Sequence, residues 1–197
     1  MTDNCMNIRT FIAMELDSFL QLALQNIQNE LRGAMLHAAP ADISWVKPAN
    51  IHITLKFLGE IPLKKVKVIT KIFPKIFRDV PSFQIELGRL GVFPTLEHPK
   101  IIWVDINKGT EGIKNLAMTL ENALCRLGYP KERREFTGHV TIGRVKSLKN
   151  REALTQAIKN FKFQESFPQT ANKIIFFKST LHSQGSIYEP LATVNLQ

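Results

Sequence analysis

The sequence predicts an α+β fold made of two duplicated lobes whose antiparallel sheets face each other. Three observations carry this. Segments with helical apolar spacing alternate with β-branched segments of period two along the chain. The order helix, His-x-Thr strand, helix, strand occurs twice. His52 and His139, which begin the two motifs, stand close to half of the 197 residues apart, the mark of an internal duplication.

Each element follows from local chemistry. Residues 8–14 form an apolar strand. Asp17-Ser18 caps a helix with apolar positions at Leu20, Leu24, Ile27 and Leu31, and Gly33 fits just past its end. Residues 43–47 are extended and stop at Pro48. Residues 51–58 alternate as a strand and end at Gly59. Pro62 opens a basic amphipathic helix that runs to about Phe73, where Pro74 kinks or ends it. Residues 82–90 and 101–106 are further strands.

The second half repeats the order. Thr110 caps a helix over 111–127 carrying Ile113, Leu116, Leu120 and Leu124, and Gly128 terminates it. Residues 137–146 are a strand, 151–160 a helix and 172–181 a long strand. A turn at His182-Ser183-Gln184-Gly185 leads to a last strand over 186–194. The chain shows no low-complexity segment and no linker, so 1–197 reads as one domain.

Composition narrows the function classes. Hydrophobic residues make up 44% and charged residues 22%, which suits a folded globular chain and not a disordered one. No apolar run reaches the roughly 18 residues a membrane span needs, and the N-terminus lacks the pattern of a signal peptide. Cys5 and Cys125 have neither metal-ligand spacing nor a partner pattern, so they read as free thiols in a reducing cytoplasm. Lys and Arg number 26 against 17 Asp and Glu, a net +9 that favours polyanionic partners.

The motifs carry the chemistry. On a strand, residues two apart share a face, roughly 7 Å apart along the chain. His52 and Thr54 therefore share one face while Ile51, Ile53 and Leu55 take the other. His139 and Thr141 do the same against Val140 and Ile142. A single His-x-Thr is a weak signal and more often marks a hydrogen-bonded strand histidine. Two copies in matched strand context at duplicated positions are far more specific. Metal-free phosphodiester transfer needs one group to take a proton and another to give one, and imidazoles do both near neutral pH. Hydroxyl donors can hold the non-bridging oxygens. Arg144, five residues past His139, supplies a nearby cation.

HITLKFLG (52–59) and FTGHVTIGR (136–144) resemble the paired signatures of the two-histidine phosphoesterase superfamily. Within it, the chain resembles the bacterial and archaeal RNA 2′,3′-cyclic phosphodiesterases, also called 2′-5′ RNA ligases. RTFIAMEL (9–16), WVKP (45–48), LGVFP (90–94) and FFKSTLHSQGSIYEPL (176–191) extend the likeness over nearly the whole chain. The resemblance implies a bilobal, pseudo-two-fold fold with both motifs lining a central cleft and helices outside. It implies His52 as proton donor, His139 as proton acceptor, and Thr54, Thr141 and Arg144 as phosphate-binding residues. The expected substrate is RNA with 2′,3′-cyclic phosphate termini, tRNA fragments among them, opened to a 2′-phosphate, with reversible 2′-5′ ligation as a further activity. No metal and no cofactor are expected. The expected state is a monomer, cytoplasmic and free of membranes. One departure from the pattern is Gly138, where the family often has Pro directly before the second His.

Other residues have blander expectations. His37, His98 and His182 lie outside any His-x-Thr context, the last two as solvated loop residues. By alternation Lys56 shares the face of His52, as a phosphate contact or a solvated rim lysine, and Phe57 lies on the other face, where core packing outweighs a base-stacking role. Lys131, Arg133 and Arg134 form a solvated basic run able to guide an RNA backbone. Tyr188 either stacks on a base or fills the core. Competing readings are a two-histidine enzyme for small cyclic nucleotides or ADP-ribose cyclic phosphate, a non-catalytic basic RNA-binding protein, and a His-ligated metal enzyme. The binding protein lacks aromatic platforms with basic interleaving. The metal enzyme lacks carboxylate and Cys partners at ligand spacing.

Overall fold

The computed structural model describes residues 6–35, 42–147, 149, 151–163, 167–183 and 185–197; Cys5, His37 and Gln184 lie outside them. Among the described residues nine strands and four helices alternate. They are β1 (Asn7–Glu15), α1 (Ser18–Ala34), β2 (Ile43–Trp45), β3 (His52–Pro62), α2 (Leu63–Ile76), β4 (Phe83–Phe93), β5 (Ile101–Lys108), α3 (Thr110–Cys125), β6 (His139–Val145), α4 (Arg151–Asn160), β7 (Pro168–Ala171), β8 (Lys173–His182) and β9 (Gly185–Asn195). A short 3-10 turn, Pro48–Asn50, leads into β3.

The strands form one antiparallel sheet in the order β7-β4-β5-β6-β3-β1-β8-β9, with β2 also on β6. The duplication is visible as two runs of β-α-β-α-β. One is β1-α1-β3-α2-β4 and the other β5-α3-β6-α4-β8. Each run gives its last strand to the other half, since β4 pairs with β5 and β8 pairs with β1. The two halves thus complete each other's sheets, and β3 and β6 meet in the middle at Ile53 and Val140.

The helices cover one face of this sheet. α1 buries Leu20, Leu24, Ile27 and Leu31, and α3 buries Ile113, Leu116, Leu120 and Leu124, as their apolar spacing requires. They pack with Ile12, Met14, Ile53, Val104, Val140 and Ile142, all fully buried on the strands. Burying each such side chain contributes roughly 1.5–3 kcal/mol. The opposite face of the strands carries the His-x-Thr motifs.

Several boundaries differ from the sequence expectation. Asp17 does cap α1, its carboxylate accepting from Leu20 N at 2.8 Å, but Gly33 lies inside the helix and Met35 ends it. Gly59 does not end β3. It takes φ +70, a conformation glycine adopts without Cβ strain, and the strand runs on to Pro62. Pro74 is carried within the last turn of α2, which ends at Ile76. Gly109 caps α3, and the Thr110 hydroxyl instead donates back to Ile106 O at 3.1 Å. β7 was not expected at all. It is four residues long, PQTA, and has no run long enough to show a period.

Candidate active site

The two motifs are held alike. His52 Nδ1 lies 2.8 Å from Asn50 O, and His139 Nδ1 lies 2.8 Å from Thr137 O. A carbonyl only accepts, so each Nδ1 carries the hydrogen and each Nε2 is left to the open face. Asn50 is itself fixed, its side-chain amide donating to Ser186 O at 2.8 Å. The antiparallel pairing of Ile53 with Val140 sets His52 across from Thr141 and Thr54 across from His139. The histidines are then diagonal neighbours, about 7–8 Å apart at the backbone for this register.

Simple alternation would put Arg144 on the wrong face, an odd number of residues from His139. The structure brings it back. On β5, residues 101, 103 and 105 share a face, and they pair with Arg144, Thr141 and His139. The register slips by one between Ile102 and Trp103, leaving Ile142 as an extra residue of β6. This bulge turns Arg144 onto the face of His139 and Thr141. The Ile142 carbonyl is held by Gln28 Nε2 at 2.8 Å and Val46 N at 3.0 Å. Among the described residues Arg144 has no acidic partner, and neither Thr54 nor Thr141 has a side-chain hydrogen bond. These groups are free to bind an anion.

The first motif has a matching bulge, and it reverses two expectations. β1 pairs Glu15 with His52, Ala13 with Thr54 and Phe11 with Phe57, while Ile12 pairs with Lys56. Leu55 is the extra residue. Lys56 therefore leaves the face of His52 and goes under the helices, with its side chain only 5% exposed. There it meets Glu121 Oε1 at 2.6 Å, Glu132 Oε1 at 3.0 Å and Pro130 O at 3.2 Å. Burial alone would lower its pKa, but the two carboxylates outweigh that and raise it. Phe57, expected in the core, comes out on the His52 face and is 57% exposed.

Aromatic rings enclose both histidines. Phe11 stacks on His52 at 4.9 Å, and Tyr188 meets it edge-on at 5.5 Å. Phe93 meets His139 edge-on at 5.2 Å and stacks on Trp103 at 4.9 Å. Phe177 on β8 and Phe93 on β4 are duplicates of each other by register. Gly91 makes the second arrangement possible, because a Cβ there would fall 2.3 Å from the Trp103 ring. Desolvation in this setting lowers the His52 pKa to about 4; the Asn50 carbonyl opposes the fall, and the charges of Arg144 and His139 add to it.

The remaining candidates sort simply. His98 and His182 are exposed, as are Lys131, Arg133 and Arg134. Tyr188 is half-buried against His52 and Phe11. Gly138 has an ordinary backbone angle, and a Cβ there would sit 3.4 Å from Ile113, so the position does not depend on glycine. Among the described residues no group of three or more His, Cys, Asp or Glu gathers around one point, and no helix is long and apolar enough to cross a membrane. Phe11, Phe93, Trp103 and Gln28 were not singled out from the sequence. Gln28 had a signal, being a polar residue on the buried stripe of α1. The rings had none, because an aromatic on a strand reads as core.

Comparison with known proteins gives concordant results. Residues 21–177 match the family model of the 2′-5′ RNA ligase superfamily. A protein of Aquifex aeolicus called RNA 2′,3′-cyclic phosphodiesterase is 34% identical over 145 residues, covering 73% of this chain and 77% of its own length. One of the same name from Methanothermobacter thermautotrophicus is 28% identical over 191 residues, 97% of this chain and 100% of its own. Among solved structures, a Thermus thermophilus protein, TT0787, superposes with a TM-score of 0.76 at 22% identity, over 96% of this chain and 98% of that one. E. coli LigT complexed with 3′-AMP gives 0.70 at 20% identity, over 98% and 99%. The last two likenesses concern the fold.

Proposed function

The chain belongs to the 2′-5′ RNA ligase superfamily, and from that premise we propose that it opens 2′,3′-cyclic phosphates at RNA ends to 2′-phosphates by acid–base catalysis. The observation that carries the reading is the antiparallel pairing of Ile53 with Val140, which sets two imidazoles diagonally with a threonine across from each. Such a square suits in-line displacement at a phosphorus held between the histidines.

In the proposed step, His139 Nε2 takes a proton from water as the water oxygen attacks phosphorus. The P–O3′ bond breaks, and His52 Nε2 gives its proton to O3′. The products are a 2′-phosphate and a 3′-hydroxyl. Thr54, Thr141 and Arg144 hold the non-bridging oxygens, whose charge shifts in the transition state. With a 5′-hydroxyl in place of water the same step forms a 2′-5′ linkage.

The low pKa of His52 bears on its role as donor. At about 4 it is neutral in the empty cleft at pH 7. An anionic phosphate beside it counters the desolvation and the Arg144 charge, and so favours the protonated ring. Substrate binding is therefore part of arming the acid.

The test is direct. Purified protein is given an RNA ending in a 2′,3′-cyclic phosphate, with a chelator present, and the product phosphate is mapped. The expected product is the 2′-phosphate, with His52→Ala and His139→Ala each slowed about a hundredfold or more. A 3′-phosphate product, or near-normal rates in either variant, overturns the mechanism. Loss of activity on chelation, restored by a divalent ion, would replace it with a metal-assisted one.

A further inference from the structure

Resting on the reading that the cleft also joins a cyclic phosphate to a 5′-hydroxyl, we propose that Asp105 and Arg89 form the site for the RNA strand that carries this hydroxyl, with Arg89 holding its first phosphodiester.

The pseudo-symmetry leads to these residues. Each motif histidine lies across from a carboxylate on the next strand outward: Glu15 of β1 pairs with His52, and Asp105 of β5 pairs with His139. Each carboxylate is tied to a cation one strand farther out. Lys173 Nζ of β8 lies 2.7 Å from Glu15 Oε2, and Arg89 Nε of β4 lies 3.1 Å from Asp105 Oδ2. The two ion pairs are duplicates. Glu15 and Asp105 stand four residues after Phe11 and Ile101, and Lys173 and Arg89 stand four before Phe177 and Phe93. In the sheet order β4-β5-β6-β3-β1-β8 the two rows therefore run outward from the histidines in opposite directions.

A ligation has the same layout. The 5′ oxygen bonds to phosphorus as P–O3′ breaks; the hydroxyl proton goes to His139, and the His52 proton goes to O3′. The ribose of the cyclic end thus lies on the side of Glu15 and Lys173, and the attacking strand arrives over Asp105 and Arg89. The order of charge along that row suits it. Asp105 repels a phosphate beside His139 and leaves that place to a neutral hydroxyl. Arg89, two strands and about 10 Å away at the backbone, meets the next phosphate along. Its seat is built by β4, whose register slips so that Gly88 and Arg89 lie opposite Asp105. A Cβ at Gly88 would collide with Asp105 Oδ1. The Asp105 carboxylate accepts from Arg89 N at 2.6 Å and Nε at 3.1 Å. These bonds fix the root of the guanidinium. Its two terminal nitrogens have no partner among the described residues, and the side chain is 84% exposed, so both are open to phosphate oxygens.

The test follows ligation of an RNA with a 2′,3′-cyclic end against the concentration of a second RNA with a 5′-hydroxyl, and hydrolysis of the cyclic end without it. Arg89→Ala should raise KM for the 5′-hydroxyl RNA about three- to thirtyfold, by a factor that shrinks at high salt, while hydrolysis changes little. A nucleoside acceptor has a 5′-hydroxyl and no phosphate, so both proteins should use it equally well. Lys173→Ala, on the opposite row, should leave KM for the 5′-hydroxyl RNA as it is. Equal losses with RNA and nucleoside, an equal loss in hydrolysis, or the same rise in KM in both variants overturns the proposal. A wild-type protein that opens cyclic ends but forms no linkage counts against the ligation reading. The 5′-hydroxyl RNA should then still inhibit hydrolysis, and Arg89→Ala should raise the inhibition constant by the same factor. No inhibition, or inhibition that Arg89→Ala leaves unchanged, overturns the proposal.

Discussion

Ile53 pairs with Val140, and this contact between two buried, chemically inert residues fixes the relation of His52 to His139. Each histidine immediately precedes one member of the pair. A slip of one residue would turn one motif to the helix side of the sheet. The chemistry of the cleft therefore depends on packing beneath it, and the predictions below test both layers.

The buried His52 makes stability depend on pH. Its pKa is about 4 when folded and about 6.5 when unfolded. Between these values the unfolded chain binds the proton and the folded one does not, so stability falls as pH drops from about 6.5 to 4. The loss from this group is at most about 3 kcal/mol. Urea unfolding across that range should show it, and His52→Gln should flatten the slope. A ring titration by NMR should place His52 near 4 in the free protein and higher with nucleoside 2′-phosphate bound. A pKa that stays near 4 in the complex would make His52 the base and not the acid.

Thr54→Val and Thr141→Val keep strand shape and remove a donor. Each should lower kcat/KM by roughly ten- to a thousandfold. Arg144→Ala should raise KM, by a factor that shrinks at high salt as phosphate contacts are screened. It should also raise the His52 pKa, since the Arg144 charge helps to depress it. Unchanged kinetics in all three variants would put the phosphate elsewhere.

Gln28 acts on Arg144 from behind. Its amide donates to Ile142 O and Val46 O, each at 2.8 Å, and so holds the bulge that turns Arg144 to the cleft. Gln28→Leu should cost about 1–2 kcal/mol of stability and raise KM with little change in kcat. A stability loss with no change in KM would leave Gln28 a purely structural residue.

Lys56 joins the two halves through α3 and the segment before β6, by its contacts with Glu121, Glu132 and Pro130 O. Lys56→Met leaves Glu121, whose side chain is 17% exposed, without its cation. The expected loss is about 2 kcal/mol, below the value for a fully buried pair because Glu132 is 65% exposed. Adding Glu121→Gln should recover much of it, and the double-mutant cycle measures the coupling. Additive effects would mean the pair contributes little.

Much of the fold was legible because it is local. The spacing of Leu20, Leu24, Ile27 and Leu31 sets a helix, and the alternation around His52 and His139 sets two strands. β7 was not legible, because four residues carry no period and its pairing with β4 is a long-range contact. Lys56 and Phe57 were placed on the wrong faces for a related reason. Alternation holds only while every residue has a partner, and a bulge is defined by what the neighbouring strand leaves unpaired.

By itself the sequence determined the order of the helices and of the strands other than β7, the duplication and the shared face of each His-x-Thr pair, since these follow from backbone periods of 3.6 and 2 and the spacing of residues on one chain. Only the tertiary structure decided which strands lie side by side, where Leu55 and Ile142 drop out of register, and hence that Arg144 and Phe57 reach the cleft while Lys56 is buried. Those outcomes depend on hydrogen bonding and packing between residues far apart in the chain. The carbonyl of Ile142, held by Gln28 from 114 residues away, is the plainest case.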